Sequence, residues 1–130
     1  MTMLKSLFLL LLIIMGCVFL LQNCCPLHPY HQRVDADEFA QTIADTGVVC
    51  VDVRTPEEYA EGHIPGAINI DVLREDFLSR ATSMLPLHHT IALYCASGKR
   101  SRKAARMLAQ RGYHVVELKS GYKGWMKANR

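Results

Sequence analysis

The sequence predicts an α/β fold with helices on both faces of a parallel sheet. From residue 34 onward, short runs rich in β-branched residues alternate with segments of helical periodicity, as in folds built from strand and helix units. The run at residues 48–53 is almost continuously apolar, which is typical of a strand covered on both faces. Such sheets bind ligands where loops leave the carboxyl ends of their strands.

The 130 residues divide into an N-terminal segment, residues 1–32, and one domain, residues 33–130. A domain of about a hundred residues can bury one modest core. The five cysteines are Cys17, Cys24, Cys25, Cys50 and Cys95. Their odd number and irregular spacing argue against a disulfide framework.

The N-terminal segment contains fifteen consecutive apolar or small residues, 7–21, which follow Lys5. This pattern predicts a membrane-directing segment. As a helix, fifteen residues span roughly 22 Å, short of the roughly 30 Å hydrocarbon core, so the length favours a signal sequence over a spanning anchor. Lys5 predicts a cytoplasmic amino terminus and an outward domain.

Residues 14–17, Ile-Met-Gly-Cys, resemble the bacterial lipobox, in which a cysteine is marked for lipid attachment. Lipidation of Cys17 and an uncleaved short anchor both stay open. In either case we expect an exported, membrane-associated protein on the periplasmic side of a bacterial membrane. Cys24 and Cys25 are adjacent, whereas zinc sites separate paired cysteines by two to four residues, so we interpret residues 23–31 as a proline-broken tether without a metal.

The domain is predicted to open with a helix capped by Asp35, with Glu38 as its capping-box partner. Val34 and Phe39 are spaced as a hydrophobic staple, and Gly47 ends the segment. The strand at residues 48–53 follows directly.

Cys50 lies within the strand at residues 48–53, and we interpret it as an inert core residue.

The next helix is predicted to start at Thr55, its N-cap, with Glu58 completing a second capping box. That helix is short because Gly62 stops it.

The later elements continue the alternation. Phe77, Leu78 and Ala81 are predicted to face the core from one helix, and residues 88–89, two histidines, are predicted to lie in a loop. Trp125 is interpreted as a packing anchor. The predicted elements are strands at 67–70, 91–94 and 115–118 and helices at 74–84, 101–111 and 121–128.

The stretch at residues 94–101, Tyr-Cys-Ala-Ser-Gly-Lys-Arg-Ser, joins a strand to a basic helix. A cysteine is nucleophilic as its thiolate, which backbone N–H groups and the positive end of a helix dipole both stabilise. Three small residues let this loop curl around an anion, and two cationic residues add charge. The residues predicted to surround the anion beside Cys95 are Ala96, Ser97, Gly98, Lys99, Arg100 and Ser101.

The basic charge near Cys95 has two interpretations. From residue 99 to residue 130 there are ten Lys or Arg and one acid, Glu117. Such a field can draw small anions toward Cys95, or the lysines can simply form a solvated helix face. The bland interpretation of Cys95 itself is a buried thiol at a strand end.

Four motifs in order strongly resemble the single-domain rhodanese family. They cover the chain from about Val34 to its end. The resemblance implies a five-stranded parallel sheet flanked by helices and sulfurtransferase chemistry through a cysteine persulfide. The motifs are residues 52–59, 62–69, 94–101 and 121–125.

By this resemblance Cys95 is the nucleophile that takes a sulfane sulfur from thiosulfate or a polysulfide and passes it to a thiol or cyanide. Loop amides from Ala96 to Ser101 would hold the persulfide, and Lys99 and Arg100 would bind the oxyanion of the donor. No metal or organic cofactor is implied. We expect no nucleic-acid partner, while a redox or sulfur-carrier protein is a candidate partner.

The same resemblance assigns supporting roles to residues outside the loop. Arg54 and Glu58 are predicted to form an ion pair that braces the loop after the strand at 48–53. Gly66 is predicted to serve a turn that requires unusual dihedral angles. The supporting residues are Asp52, Arg54, Glu58, His63 and Gly66.

Two alternatives to a sulfurtransferase stay open. Rhodanese-like phosphatases and arsenate reductases resemble this domain but have one more residue between cysteine and arginine, whereas four separate Cys95 from Arg100 here. The shorter loop favours sulfur over a tetrahedral oxyanion. A membrane-tethered persulfide carrier, sensor or binding module is the non-enzymatic alternative.

Overall fold

A computed structural model describes residues 1–23 and 30–130, including the side chains of residues 1, 3–16 and 30–130. Within these ranges helices and strands alternate along the chain. The helices are α1 (Thr2–Asn23), α2 (Ala36–Ile43), α3 (Pro56–Glu61), α4 (Phe77–Met84), α5 (Lys99–Ala109) and α6 (Gly121–Ala128). The strands are β1 (Tyr30–Val34), β2 (Val48–Asp52), β3 (Ile68–Asn69), β4 (Thr90–Tyr94) and β5 (His114–Leu118).

The five strands form one parallel sheet in the order β1-β5-β4-β2-β3. The predicted five-stranded parallel sheet is therefore confirmed. Strand β4 lies in the middle, so its carboxyl end is flanked by the ends of β2 and β5. The sheet thus gathers the loops after three strands at one edge.

Two apolar clusters lie on opposite faces of the sheet and confirm that helices cover both. Phe77 and Ala81 of α4 pack with Leu108 of α5 on one face. Phe39 of α2 and Trp125 of α6 pack together on the other. Because side chains alternate along each strand, neighbouring β4 residues contribute to different clusters.

Side-chain caps fix the starts of α2 and α3. Asp35 accepts a hydrogen bond from the Glu38 N–H at 3.0 Å, and Thr55 and Glu58 form both halves of the predicted capping box. The Glu38 side chain instead accepts a hydrogen bond from Gln32 at 2.9 Å. The box predicted at α2 is therefore only half formed, because β1 supplies a competing donor.

Strand β1 was not predicted from the sequence. Its residues, Tyr-His-Gln-Arg-Val, lack the apolar run that marked the other strands. It pairs along its length with β5, from Tyr30 opposite His114 to Val34 opposite Leu118. The Tyr30 ring also stacks on His114, with 4.0 Å between ring centroids.

Helix α1 contains the predicted membrane-directing segment. Among the described residues, no helix combines the length and apolar character needed to cross a membrane. The side chain of Cys17 and the whole of residues 24–29, with Cys24 and Cys25, lie outside the described residues. Lipidation, anchoring and a tether at residues 24–29 therefore stay predictions. The tether predicted at residues 23–31 is too long at both ends, because Asn23 lies in α1 and residues 30–31 pair with β5 as part of β1.

Cys50 lies in β2 and is buried in the cluster around Phe39. Burial, together with the negative charge of Asp52, raises the pKa of the Cys50 thiol to about 12. This thiol is therefore protonated at neutral pH, in agreement with the predicted inert core role.

Phe39→Ala is expected to lower the free energy of unfolding by about 3–5 kcal/mol, because it leaves a cavity in a closed core. The Phe39 ring lies edge-on to those of Tyr94 and Trp125, with 6.3 Å between centroids in both pairs. Urea unfolding curves measure the change. The control is Leu73→Ala, where the side chain is 64% exposed and the change should stay within about 0.5 kcal/mol. Equal effects of the two variants would contradict this account of the core.

Candidate active site

Cys95 is the first residue after β4, and its side chain is only 1% exposed. The carbonyl groups of Cys95 and Ala96 accept hydrogen bonds from the N–H groups of Tyr122 and Lys123, at 2.7 and 3.1 Å. These bonds direct the loop carbonyls toward α6. The Gly98 N–H faces the sulfur and donates to Cys95 Sγ at 3.1 Å.

Gly98 permits this loop conformation. Its φ of +95° lies in the left-handed region, and a Cβ there would lie 2.2 Å from the carbonyl oxygen of Lys119. Any other residue would be strained and would also collide with the backbone after β5. The position therefore requires glycine, and the loop stays tight around the sulfur.

The loop shifts the ionisation of Cys95 in favour of the thiolate. Burial by itself raises the pKa of the thiol, but the hydrogen bonds that the ionised sulfur can accept from the Ser101 hydroxyl and from the N–H groups of Ser101, Ser97 and Gly98 outweigh it. The net effect lowers the Cys95 pKa below its ordinary value. An anion on this sulfur is therefore stabilised mainly by hydrogen bonds from its own loop and from the first turn of α5.

The two cationic residues predicted to surround the anion differ in their surroundings. Lys99 is exposed at the start of α5. Both terminal nitrogens of Arg100 donate to the Glu58 carboxylate, at 2.7 and 2.8 Å. The guanidinium of Arg100 therefore carries charge near the loop while its donors are shared with α3.

The predicted ion pair between Arg54 and Glu58 is wrong. Arg54 pairs with Asp52 at 2.7 Å, because residues two apart on an extended chain share a face. It also donates to the Gly62 carbonyl at 2.6 Å and lies 4.4 Å from the Tyr122 ring centroid. Arg54 thus joins the end of β2 to the loop after α3 and to α6.

The remaining supporting residues lie away from the sulfur. Gly66 has a φ of +82° and follows Pro65 in a turn closed by the Ala67 N–H, which donates to the Ile64 carbonyl at 3.0 Å. His63 is exposed and stacks on Tyr59 with 3.7 Å between ring centroids. Both residues shape the segment between α3 and β3.

Sequence reasoning missed Glu117, a fully buried carboxylate on β5. It accepts hydrogen bonds from Ser101, His31 and Arg33, at 2.8, 3.0 and 2.9 Å. Ser101 Oγ in turn lies 3.4 Å from Cys95 Sγ. The available signal was an acid inside an apolar strand, because a buried carboxylate needs partners.

Within residues 1–23 and 30–130, no group of three or more His, Cys, Asp or Glu side chains is placed to bind a metal ion.

Known proteins match both the sequence and the fold. A sequence model of the Rhodanese-like domain family matches residues 35–128. A protein of Allochromatium vinosum named sulfurtransferase is 35% identical over 97 residues, which cover 73% of this chain and 88% of that protein. Thiosulfate sulfurtransferase PspE of Escherichia coli is 40% identical over 73 residues, covering 56% of this chain and 69% of PspE.

The fold has a close counterpart among solved structures. The crystal structure of a rhodanese-related protein from Thermoplasma volcanium matches with a TM-score of 0.66 and 28% identity, covering 75% of this chain and 92% of that one. Together with the family match over residues 35–128, this shows that the chain belongs to the Rhodanese-like domain family.

Glu58→Gln is expected to lower the free energy of unfolding at pH 7 by about 1 kcal/mol. The hydrogen bonds from Arg100 hold the pKa of Glu58 at about 2, below its ordinary value. The stabilisation is therefore complete above the ordinary glutamate pKa and is lost as the pH falls through about 2. Urea unfolding from pH 7 to acid should show the two proteins converging.

The matched control is Glu57→Gln, an exposed glutamate in the same first turn of α3. It changes the same charge near the helix N-terminus but leaves the pair with Arg100 intact. A difference between Glu58→Gln and the parent that stays constant with pH would contradict the ion pair as its cause.

Proposed function

We propose that this protein is a sulfurtransferase that moves a sulfane sulfur from thiosulfate or a polysulfide to a thiophilic acceptor, through a persulfide on Cys95. Family membership and the names of the A. vinosum and E. coli relatives support a sulfurtransferase. The observation that carries the proposal is the thiol itself, with a lowered pKa and the Gly98 N–H directed at its sulfur.

In the first step the Cys95 thiolate attacks the outer sulfur of thiosulfate. A new bond forms between Cys95 Sγ and the outer sulfur of thiosulfate. The sulfur–sulfur bond of thiosulfate breaks at the same time, and sulfite leaves with its electron pair. The product is a persulfide anion on Cys95. The loop N–H groups that lower the Cys95 pKa would stabilise the terminal sulfur of this anion.

In the second step a thiolate or cyanide attacks the outer sulfur of the persulfide. The bond between the two sulfurs breaks, and its electron pair returns to Cys95 as the thiolate. A thiol acceptor becomes a persulfide, and cyanide becomes thiocyanate. After both steps Cys95 is again a thiolate, so the protein undergoes no net oxidation or reduction.

Donor recognition follows from charge and access. Exposed Lys99 and the N-terminus of α5 present positive charge at the mouth of the loop. Arg100 is held near the loop by its pair with Glu58, which offsets much of its charge. Because Cys95 is almost completely buried, a small or slender anion reaches its sulfur more readily than a bulky one.

Incubation with thiosulfate is expected to add one sulfur atom to Cys95, detected as an intact mass increase with release of sulfite. The full chain is kept in mild detergent because the side chains of α1 from Leu7 to Ile14 are exposed. Cyanide or a thiol should remove the added sulfur. Cys95→Ser should abolish the gain, and Cys50→Ser should retain it because the Cys50 thiol is protonated at neutral pH.

A folded protein that gains no sulfur from thiosulfate or polysulfide would overturn the proposal. Phosphate release from a phosphoester would then indicate the phosphatase alternative. A stable persulfide that no small acceptor removes would instead indicate a carrier or sensor.

We further propose that residues 1–32 export the domain and hold it at the periplasmic face of a bacterial membrane. Every side chain from Leu7 to Ile14 is more than half exposed. A helix that is apolar around its circumference favours an apolar environment. Lipidation of Cys17 would add a second means of attachment.

Expressed in a bacterium, the protein is expected in the membrane fraction and to be accessible to protease added after the outer envelope is opened. Labelling with a fatty-acid analogue tests Cys17 lipidation, with Cys17→Ala expected to lose the label. A protein found in the cytoplasmic fraction, or protected from protease, would contradict export.

A further inference from the structure

Glu117 is a buried charged group that the two transfer steps do not use. Its Oε2 atom accepts hydrogen bonds from His31 at 3.0 Å and Arg33 at 2.9 Å. Its Oε1 atom accepts a hydrogen bond from the Ser101 hydroxyl at 2.8 Å. The Glu117 side chain is fully buried, while those of His31 and Arg33 are 17% and 32% exposed. Edge strand β1 therefore supplies both donors to the Oε2 atom of this carboxylate.

Ser101 connects this carboxylate with the candidate nucleophile. Its Oγ lies 3.4 Å from Cys95 Sγ and 2.8 Å from Glu117 Oε1. A hydroxyl has a single hydrogen to donate. While that hydrogen points to Glu117, Ser101 can only accept a hydrogen bond from the Cys95 thiol. Once Cys95 ionises, its sulfur needs the same hydrogen, so the thiolate and the carboxylate compete for one donor.

We propose that Glu117 is a positioning residue that controls whether the Ser101 hydroxyl donates its hydrogen to Cys95 or to Glu117 itself. His31 and Arg33 satisfy the far oxygen of Glu117, and the near oxygen depends on Ser101. Strong donors on β1 weaken the hold of the carboxylate on Ser101 and let the hydroxyl turn toward sulfur. This inference rests on the proposed role of Cys95 as nucleophile.

Other charges act on the same sulfur and must be held constant in a test. Arg100 of α5 lies near Cys95, with Glu58 and Asp71 near Arg100. A change of charge at Glu117 also acts directly through space. The route through Ser101 must therefore be separated from direct electrostatics by a double-mutant cycle.

Glu117→Gln is expected to place the apparent pKa of Cys95 about one pH unit lower. The amide oxygen faces the donors on β1, so the amide NH₂ group donates to Ser101 and its hydroxyl hydrogen turns to Cys95. The rate of alkylation by iodoacetamide is measured against pH in the full chain. Mass spectrometry of the tryptic peptide 81–99, which contains Cys95 as its one cysteine, reports this thiol alone.

Ser101→Ala closes the cycle. It is expected to raise the apparent pKa of Cys95, and adding Glu117→Gln to it should shift that pKa by less than about half as much as in the parent. A shift of equal size in both backgrounds would mean direct electrostatics and would overturn the proposal. So would an unchanged or raised pKa in Glu117→Gln alone.

Arg33→Gln is a second variant, with an expected Cys95 pKa shift of the opposite sign. It replaces Glu117→Gln if circular dichroism shows that Glu117→Gln does not fold. Without the arginine, Glu117 holds the Ser101 hydrogen more strongly, so the apparent pKa of Cys95 should rise. That rise should largely vanish in Ser101→Ala. Its persistence there would count against the route through Ser101. Glu61→Gln, an exposed glutamate on α3, is the control and should leave the titration unchanged.

These measurements are independent of sulfur transfer. Alkylation reports how readily Cys95 ionises even if thiosulfate is not a donor. If Glu117→Gln lowers the Cys95 pKa as expected but no persulfide forms, the Glu117 inference is supported and the sulfurtransferase proposal is overturned. Persulfide formation with no shift in Glu117→Gln would do the reverse.

Discussion

The parallel register of β4 with its two neighbours is the constraint on which the site depends. Asp52 pairs with Tyr94 across β2 and β4, and Leu93 pairs with Glu117 across β4 and β5. Both pairs lie at the carboxyl ends of their strands, so the residues after β4 meet the supports from either side. A slip of one residue would exchange the faces of the sheet and move Cys95 away from Ser101 and α5.

Charged side chains near the loop are largely satisfied by one another. Arg54 pairs with Asp52 and Arg100 with Glu58, and Arg33 holds Glu117. Two of these pairs join distant parts of the chain, and the Asp52–Arg54 pair spans the bend after β2. In each pair the carboxylate holds the arginine in place. The donors that face the sulfur directly are consequently backbone N–H groups, which keep their orientation whether the sulfur is charged or neutral, and the Ser101 hydroxyl, which also donates to Glu117.

Local patterns in the sequence were sufficient for most elements and for the position of Cys95. The caps at Asp35 and Thr55 and the apolar run of β2 act over a few residues, and such signals are readable without the fold. Strand β1 was missed because its stability comes from pairing with β5 rather than from its own polar residues. The role of Glu117 was missed for the same reason, since it depends on β1 lying beside β5. The predicted Arg54–Glu58 pair was wrong because the fold brings Arg100 of α5 to Glu58 and leaves Arg54 with Asp52.

The two described cysteines of the domain lie on opposite sides of the sheet. Cys50 packs in the cluster that contains Phe39, and Cys95 belongs to the cluster that contains Phe77. Both are buried and unpaired with each other, and the backbone of the sheet stands between them. In the proposed mechanism Cys50 therefore cannot take over sulfur from Cys95. Residues 30–130 then supply no thiol of their own as the acceptor, which must come from outside this part of the protein.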